Sequence, residues 1–120
     1  MNKKTLVLGG SPKPERYSNK AILMLLENNH DVVSVGARNA TVSSVKIHKE
    51  KLHFNDIHTV TMYLGPKNQI DFYNYIIKLN PKRIIFNPGT ENQELEELAK
   101  ENGIETEEAC TLVLLTTNQY

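Results

Sequence analysis

Cysteine occurs once in these 120 residues and tryptophan not at all. A single thiol, Cys110, closes no internal disulfide, so the expected setting is reducing, intracellular and cytoplasmic. Long apolar runs are missing too. The longest, Ala21 to Leu26, falls far short of the roughly 20 residues that cross a bilayer, so no membrane association is expected. The start, Met1 to Leu6, lacks the apolar core of a secretory signal.

Charge of one sign is also missing. Fourteen basic and fourteen acidic residues cancel. Their distribution is uneven, with nine basic and five acidic groups in residues 1–60 and the reverse, five and nine, in residues 61–120. The acid concentrates between Glu91 and Glu108, which reads as a solvated helix face. No basic stripe with interleaved aromatics is present, which argues against a nucleic-acid surface. A local basic site for a small anionic ligand stays open.

What is present is an ordinary globular composition, 39% hydrophobic and 23% charged. That is enough for one modest core, and residues 1–120 are expected to form a single domain. Thr5 to Leu8 is a short apolar run stopped by Gly9-Gly10 and predicts a buried strand. A loop runs from Gly9 to Tyr17. A helix follows, with Ser18 as the expected N-cap and Ala21, Ile22, Leu25 and Leu26 on one face. Asp31 to Val35 predicts a second strand. Residues 37–57 are polar, with short β-like pieces around Val42 and Val45 to Ile47. Thr59 to Leu64 predicts a strand ending at Gly65-Pro66, and Pro66 suits the first position of a helix carrying Ile70, Tyr73 and Ile77. Arg83 to Phe86 predicts another strand. Glu91 to Asn102 predicts an amphipathic helix through Leu95, Leu98 and Ala99, with Gly103 just past its end. Ile104 opens a short last strand. Cys110 to Leu115 reads equally as helix or strand.

Strands alternating with helices predict an α/β fold, Rossmann-like and doubly wound. The expected sheet is mainly parallel, of about five strands, with helices on both faces. In such sheets ligands bind beyond the carboxyl ends of the strands. Three loops leave those ends with special residues. In the first, Gly9, Gly10 and Ser11 expose backbone N–H groups, and Arg16, Tyr17 and Ser18 lead into a helix whose positive end suits a phosphate. The glycines would serve a tight turn equally well. The loop lacks both Gly-Lys-Ser/Thr and Gly-x-Gly-x-x-Gly. The second loop follows Tyr63, which is either a ligand contact or a plain strand aromatic. In the third, Asn87-Pro88-Gly89-Thr90, Thr90 either caps the next helix or faces a ligand. His48, His53 and His58 recur every five residues, which suits no metal site. Cys110 is either a small buried apolar residue or a residue of the site.

The stretch Leu8-Gly9-Gly10-Ser11-Pro12-Lys13-Pro14-Glu15-Arg16-Tyr17-Ser18-Asn19-Lys20-Ala21 resembles the opening of the small stand-alone CoA-binding domain proteins. These in turn resemble the CoA-binding domain of the succinyl-CoA synthetase alpha subunit. Asn87 to Glu94 is similar to their second loop, and Gly103-Ile104 followed by Cys110 to their end. The resemblance spans essentially the whole chain. It implies a Rossmann-like sheet with coenzyme A across its carboxyl edge. Gly9, Gly10, Ser11 and Arg16 would then hold the diphosphate, and Arg38 would approach the phosphorylated ribose or adenine. Tyr63, Pro66, Asn87, Pro88 and Gly89 would line the pantetheine path, and Gly36 is also expected among the cofactor-binding residues. The chain departs from the family at Gly36-Ala37-Arg38, where many members have Asn-Pro.

Three functions compete. The first is a non-catalytic module, binding or regulatory, for coenzyme A or an acyl-CoA, its protein partner unknown. The second is an enzyme using an NADP-type cofactor or acting on an acyl-CoA. The third is an interaction protein on a nucleotide-binding fold. An NAD site usually ends its second strand on Asp or Glu. Gly36-Ala37-Arg38 stands there instead, and no acid–base pair is visible.

Overall fold

The computed structural model describes all residues, 1–120. Seven strands form one sheet: β1 (Thr5–Gly10), β2 (Val32–Gly36), β3 (Ala40–Val42), β4 (Val45–His48), β5 (Thr59–Met62), β6 (Arg83–Phe86) and β7 (Glu105–Glu108). Their order across the sheet is β3-β4-β2-β1-β5-β6-β7. All pairs are parallel except β3–β4, a hairpin in which Ala40 faces Ile47 and Val42 faces Val45.

The α/β expectation therefore holds, but seven strands replace about five. The difference lies mainly in the polar stretch 37–57. Within it Val42, Val45 and Ile47 are all buried. Ser43, at φ 53°, makes the tight reversal between them. The hairpin adds β4 to the edge of β2 and leaves β3 outermost.

Five helices complete the fold: α1 (Tyr17–Glu27), α2 (Pro66–Gln69), α3 (Tyr73–Leu79), α4 (Gln93–Glu101) and α5 (Thr111–Thr116). They cover both faces. Ile76 and Leu79 of α3 and Leu95 and Ala99 of α4 pack with Leu6, Leu8, Val60, Met62, Ile84 and Phe86. On the other face Ile22 and Leu25 of α1 and Leu115 of α5 pack with Val7, Val45 and Ile47. The central strands carry apolar or threonine side chains on both sides because both are covered. Each fully buried aliphatic or Phe86 side chain contributes about 1.5–3 kcal/mol.

Several element ends differ from expectation. Helix α1 starts two residues earlier, so Ser18 is a buried residue of its first turn and Arg16 is the N-cap, extended at φ −78° and ψ 140° with no side-chain cap. The single helix expected from Pro66 is broken by a 3₁₀ turn at Ile70–Phe72. Helix α4 is capped not by Thr90 but by Asn92, whose Oδ1 accepts the Leu95 N–H at 3.2 Å. Cys110 to Leu115 resolves as helix, with Cys110 at the N-cap of α5. No helix is long and apolar enough to cross a membrane.

Candidate functional site

The chain leaves β1 for β2 on one side and reaches β5 on the other. The switch in winding direction thus falls between β1 and β5, both parallel and directly paired. A cleft of about 420 Å³ opens at their carboxyl ends. The loops after β1, β2, β5 and β6 all contribute to its walls.

The floor is the end of β1, where the register shifts between Leu8 and Gly10 and the chain turns at Gly9. Gly9 sits at φ +97°, and a Cβ there would press on the Tyr63 carbonyl carbon at 3.0 Å. Only glycine takes that conformation without strain. Gly10 and Gly36 have a different cause. A Cβ on Gly10 would run into the Ser34 hydroxyl, which donates to the Val7 carbonyl at 2.8 Å. A Cβ on Gly36 would meet the Gly10 carbonyl and Ile47. Both glycines are required by strand packing alone. Gly10 still borders the cleft, whereas Gly36 lies behind it.

Ser11 follows, held by Asn19, whose Nδ2 donates to the Ser11 carbonyl at 3.0 Å, while its hydroxyl accepts the Lys13 N–H at 3.2 Å. This fastens the loop to α1. The first turn of α1, Tyr17 and Ser18, lines the cleft. With no side-chain cap, its leading N–H groups await an acceptor, and the helix adds partial positive charge there. Arg16, Lys13 and, from across the cleft, Arg38 are exposed cations. The one ion pair in the molecule, Arg83 with Glu107 at 3.9 Å, lies elsewhere. The cleft is therefore a basic mouth over a glycine turn.

The far wall is made by Tyr63, Leu64, Pro88 and Thr90. Burial, above all, pushes the Tyr63 phenol up to about 12, against the lowering effect of the nearby Thr111 and Thr61 hydroxyls. It stays protonated and neutral at physiological pH. Asn87 is not in the lining. It is buried, and its Nδ2 donates to Thr61 Oγ1 at 2.7 Å and to the Met62 carbonyl at 2.9 Å while Oδ1 accepts the Thr111 N–H at 2.8 Å. The side chain is fully used in joining β5, β6 and α5. Pro66, Gly89 and Cys110 also stand outside the cleft lining. Gly89, at φ +90°, turns the loop between Pro88 and Thr90.

Sequence reasoning did not single out Pro12, Lys13, Ala37 and Leu64, although each sits in or beside a stretch it had marked. It missed Gln69 altogether. No residue pattern announces one buried amide in a broken helix.

The chain is a doubly wound α/β domain with a mainly parallel sheet, and its switch point carries an uncapped helix start and a glycine turn, features that suit a phosphate group. Within that class, the profile of the CoA binding domain family matches residues 3–116, and the chain belongs to this family. An uncharacterized protein of known crystal structure is 45% identical, with a TM-score of 0.97 over 100% of this chain and 99% of that one. A hypothetical protein from Pyrococcus horikoshii OT3 is 31% identical, with a TM-score of 0.84 over 93% of this chain and 80% of that one. Prb, a protein redesigned for binding, is 27% identical, with a TM-score of 0.87 over 98% and 84%. No curated protein matches the chain.

Proposed function

We propose that the cleft binds coenzyme A or an acyl-CoA, and that residues 1–120 act as one binding or regulatory module. The observation that carries this reading is the convergence of the Gly9 turn, the uncapped start of α1 and the cations Lys13, Arg16 and Arg38 on one cleft. Membership of the CoA binding domain family supports it. The diphosphate lies over Gly9, Gly10 and Ser11 against Arg16. Arg38, following β2, meets the phosphorylated ribose. Pantetheine runs along Tyr63, Leu64, Pro88 and Thr90. Binding is favoured over turnover because the groups at the cleft are cations, hydroxyls and a phenol that keeps its proton.

Melting curves test this. Coenzyme A at about one hundred times its dissociation constant is expected to add roughly 2.7 kcal/mol. For a chain of this size that is a rise in Tm of order 10 °C. The competing enzyme reading has NADPH in the same cleft with Arg38 on its 2′-phosphate. A rise with NADPH and none with millimolar coenzyme A overturns the proposal.

A further inference from the structure

Beneath the far wall of the cleft lies a buried amide. Gln69, at the end of α2, is fully buried. Its Nε2 donates to the Leu64 carbonyl at 2.9 Å and to the Thr90 carbonyl at 2.8 Å. Its Oε1 accepts from Asn92 Nδ2 at 2.9 Å. Leu64 leaves β5 and Thr90 leaves β6, and both border the cleft. Gln69 thus ties the two loops of the far wall to one point. Asn92 fixes the amide in turn, donating also to the Tyr73 hydroxyl at 2.8 Å. The chain of bonds continues the other way, since the Thr90 hydroxyl donates to the Asn87 carbonyl at 2.8 Å.

We infer that Gln69 is a positioning residue that sets the width of the pantetheine half of the cleft and leaves the nucleotide half untouched. This rests on the coenzyme A reading. The two amide hydrogens are the only links it makes to the wall, and both end on main-chain carbonyls of wall residues. A backbone carbonyl stripped of a buried partner turns toward water, and the wall opens with it. The nucleotide half is held by bonds of its own, Asn19 on the Ser11 carbonyl and the Lys13 N–H on the Ser11 hydroxyl. The wall should therefore respond to Gln69, and the phosphate floor should not.

The test uses two ligands. Coenzyme A spans the whole cleft, whereas adenosine 3′,5′-bisphosphate carries the phosphorylated nucleoside without pantetheine. Gln69→Met keeps the volume and removes both donors. Asn92→Ser keeps a hydroxyl to cap α4 and removes the bond to Gln69 Oε1. Calorimetric titration of folded protein, checked by melting, gives the affinities. Gln69→Met is expected to weaken coenzyme A about tenfold or more and to leave the bisphosphate within about twofold. Asn92→Ser should shift coenzyme A in the same direction by less, and it carries the test where Gln69→Met does not fold. Equal losses for both ligands, or no loss for either, overturn the role of Gln69. If wild type binds neither ligand, it is the coenzyme A reading that fails.

Discussion

At the residue scale, two kinds of residue at the cleft are separated by what else they do. Arg16 has an extended backbone, an exposed side chain and no ion pair. Nothing in the fold depends on its guanidinium. Its charge is free for a phosphate, which under the proposed reading it would meet with short, charge-assisted hydrogen bonds. Arg16→Ala should therefore weaken coenzyme A by the worth of such bonds, about 1.5–3 kcal/mol, or roughly ten- to hundredfold. Tm without ligand should stay where it is. Titration and melting of the same variant check both halves, and a variant with normal affinity would remove Arg16 from the binding role. Asn87 is the opposite case. It occupies a loop position that reads as ligand-facing, yet all its polar atoms are used inside the protein. A sequence displays the type of a side chain and not its hydrogen-bond partners. That is why Asn87 and Gly36 looked like site residues and why Gln69 did not.

At the element scale, the runs that are buried on both faces were legible. Thr5 to Leu8, Thr59 to Met62 and Arg83 to Phe86 appear as strands because a short apolar stretch between turn residues has few other uses. Helix α4 was legible from Leu95, Leu98, Ala99 and Gly103. Its start was displaced because Thr90 and Asn92 are both capping residues, and Thr90 spends its hydroxyl on the Asn87 carbonyl instead. The β3–β4 hairpin was only half legible, since strands of three and four residues offer too little periodicity. The glycines were visible but their causes were not. Gly10 and Gly36 let β1, β2 and β4 approach, and Gly9 makes the turn. The prediction at this scale follows from that division. Gly10→Ala should lower stability by the cost of overpacking, about 1–3 kcal/mol, even without ligand. Gly65→Ala has open space and an ordinary φ of −64°, so it should cost well under about 1 kcal/mol. Denaturant melts of the two variants decide it; equal stability would mean that the strands yield to the added methyl and that Gly10 is free for another purpose.

At the scale of the whole molecule, the two ends of the sheet differ in kind. The carboxyl end holds the basic cleft. The amino end is closed by the chain termini packed together. The Lys3 N–H donates to His30 Nδ1 at 2.9 Å, and Lys3 Nζ donates to the Tyr120 carbonyl at 2.6 Å. The Tyr120 ring lies 4.9 Å from the His30 ring and 4.5 Å from the Arg83 guanidinium, and its hydroxyl bonds Thr5. His58 stands at the same end with Nδ1 on the Thr59 hydroxyl at 2.7 Å. Both histidines titrate below the ordinary 6.5. Burial lowers them most, and neighbouring cations lower them further: the amino terminus, Lys3 and Arg83 for His30, and Arg83, Lys3 and Lys82 for His58, where Glu105 opposes. The unfolded chain then binds more protons than the folded one between the folded and unfolded values. Stability is complete above the unfolded value and falls as pH drops through the folded ones. Glu96 works in the other sense, held above its ordinary 4.5 by burial and by Glu108. Its proton uptake favours the folded chain as pH falls, so any loss of stability from about pH 7.5 to about pH 5.5 belongs to the histidines. Tm should fall across that interval. His30→Gln, which keeps an acceptor for the Lys3 N–H but takes up no proton, should flatten part of the fall and leave the part due to His58. A wild-type Tm that is constant over this range, or a His30→Gln curve parallel to it, would show that the packed termini are indifferent to the charge on His30.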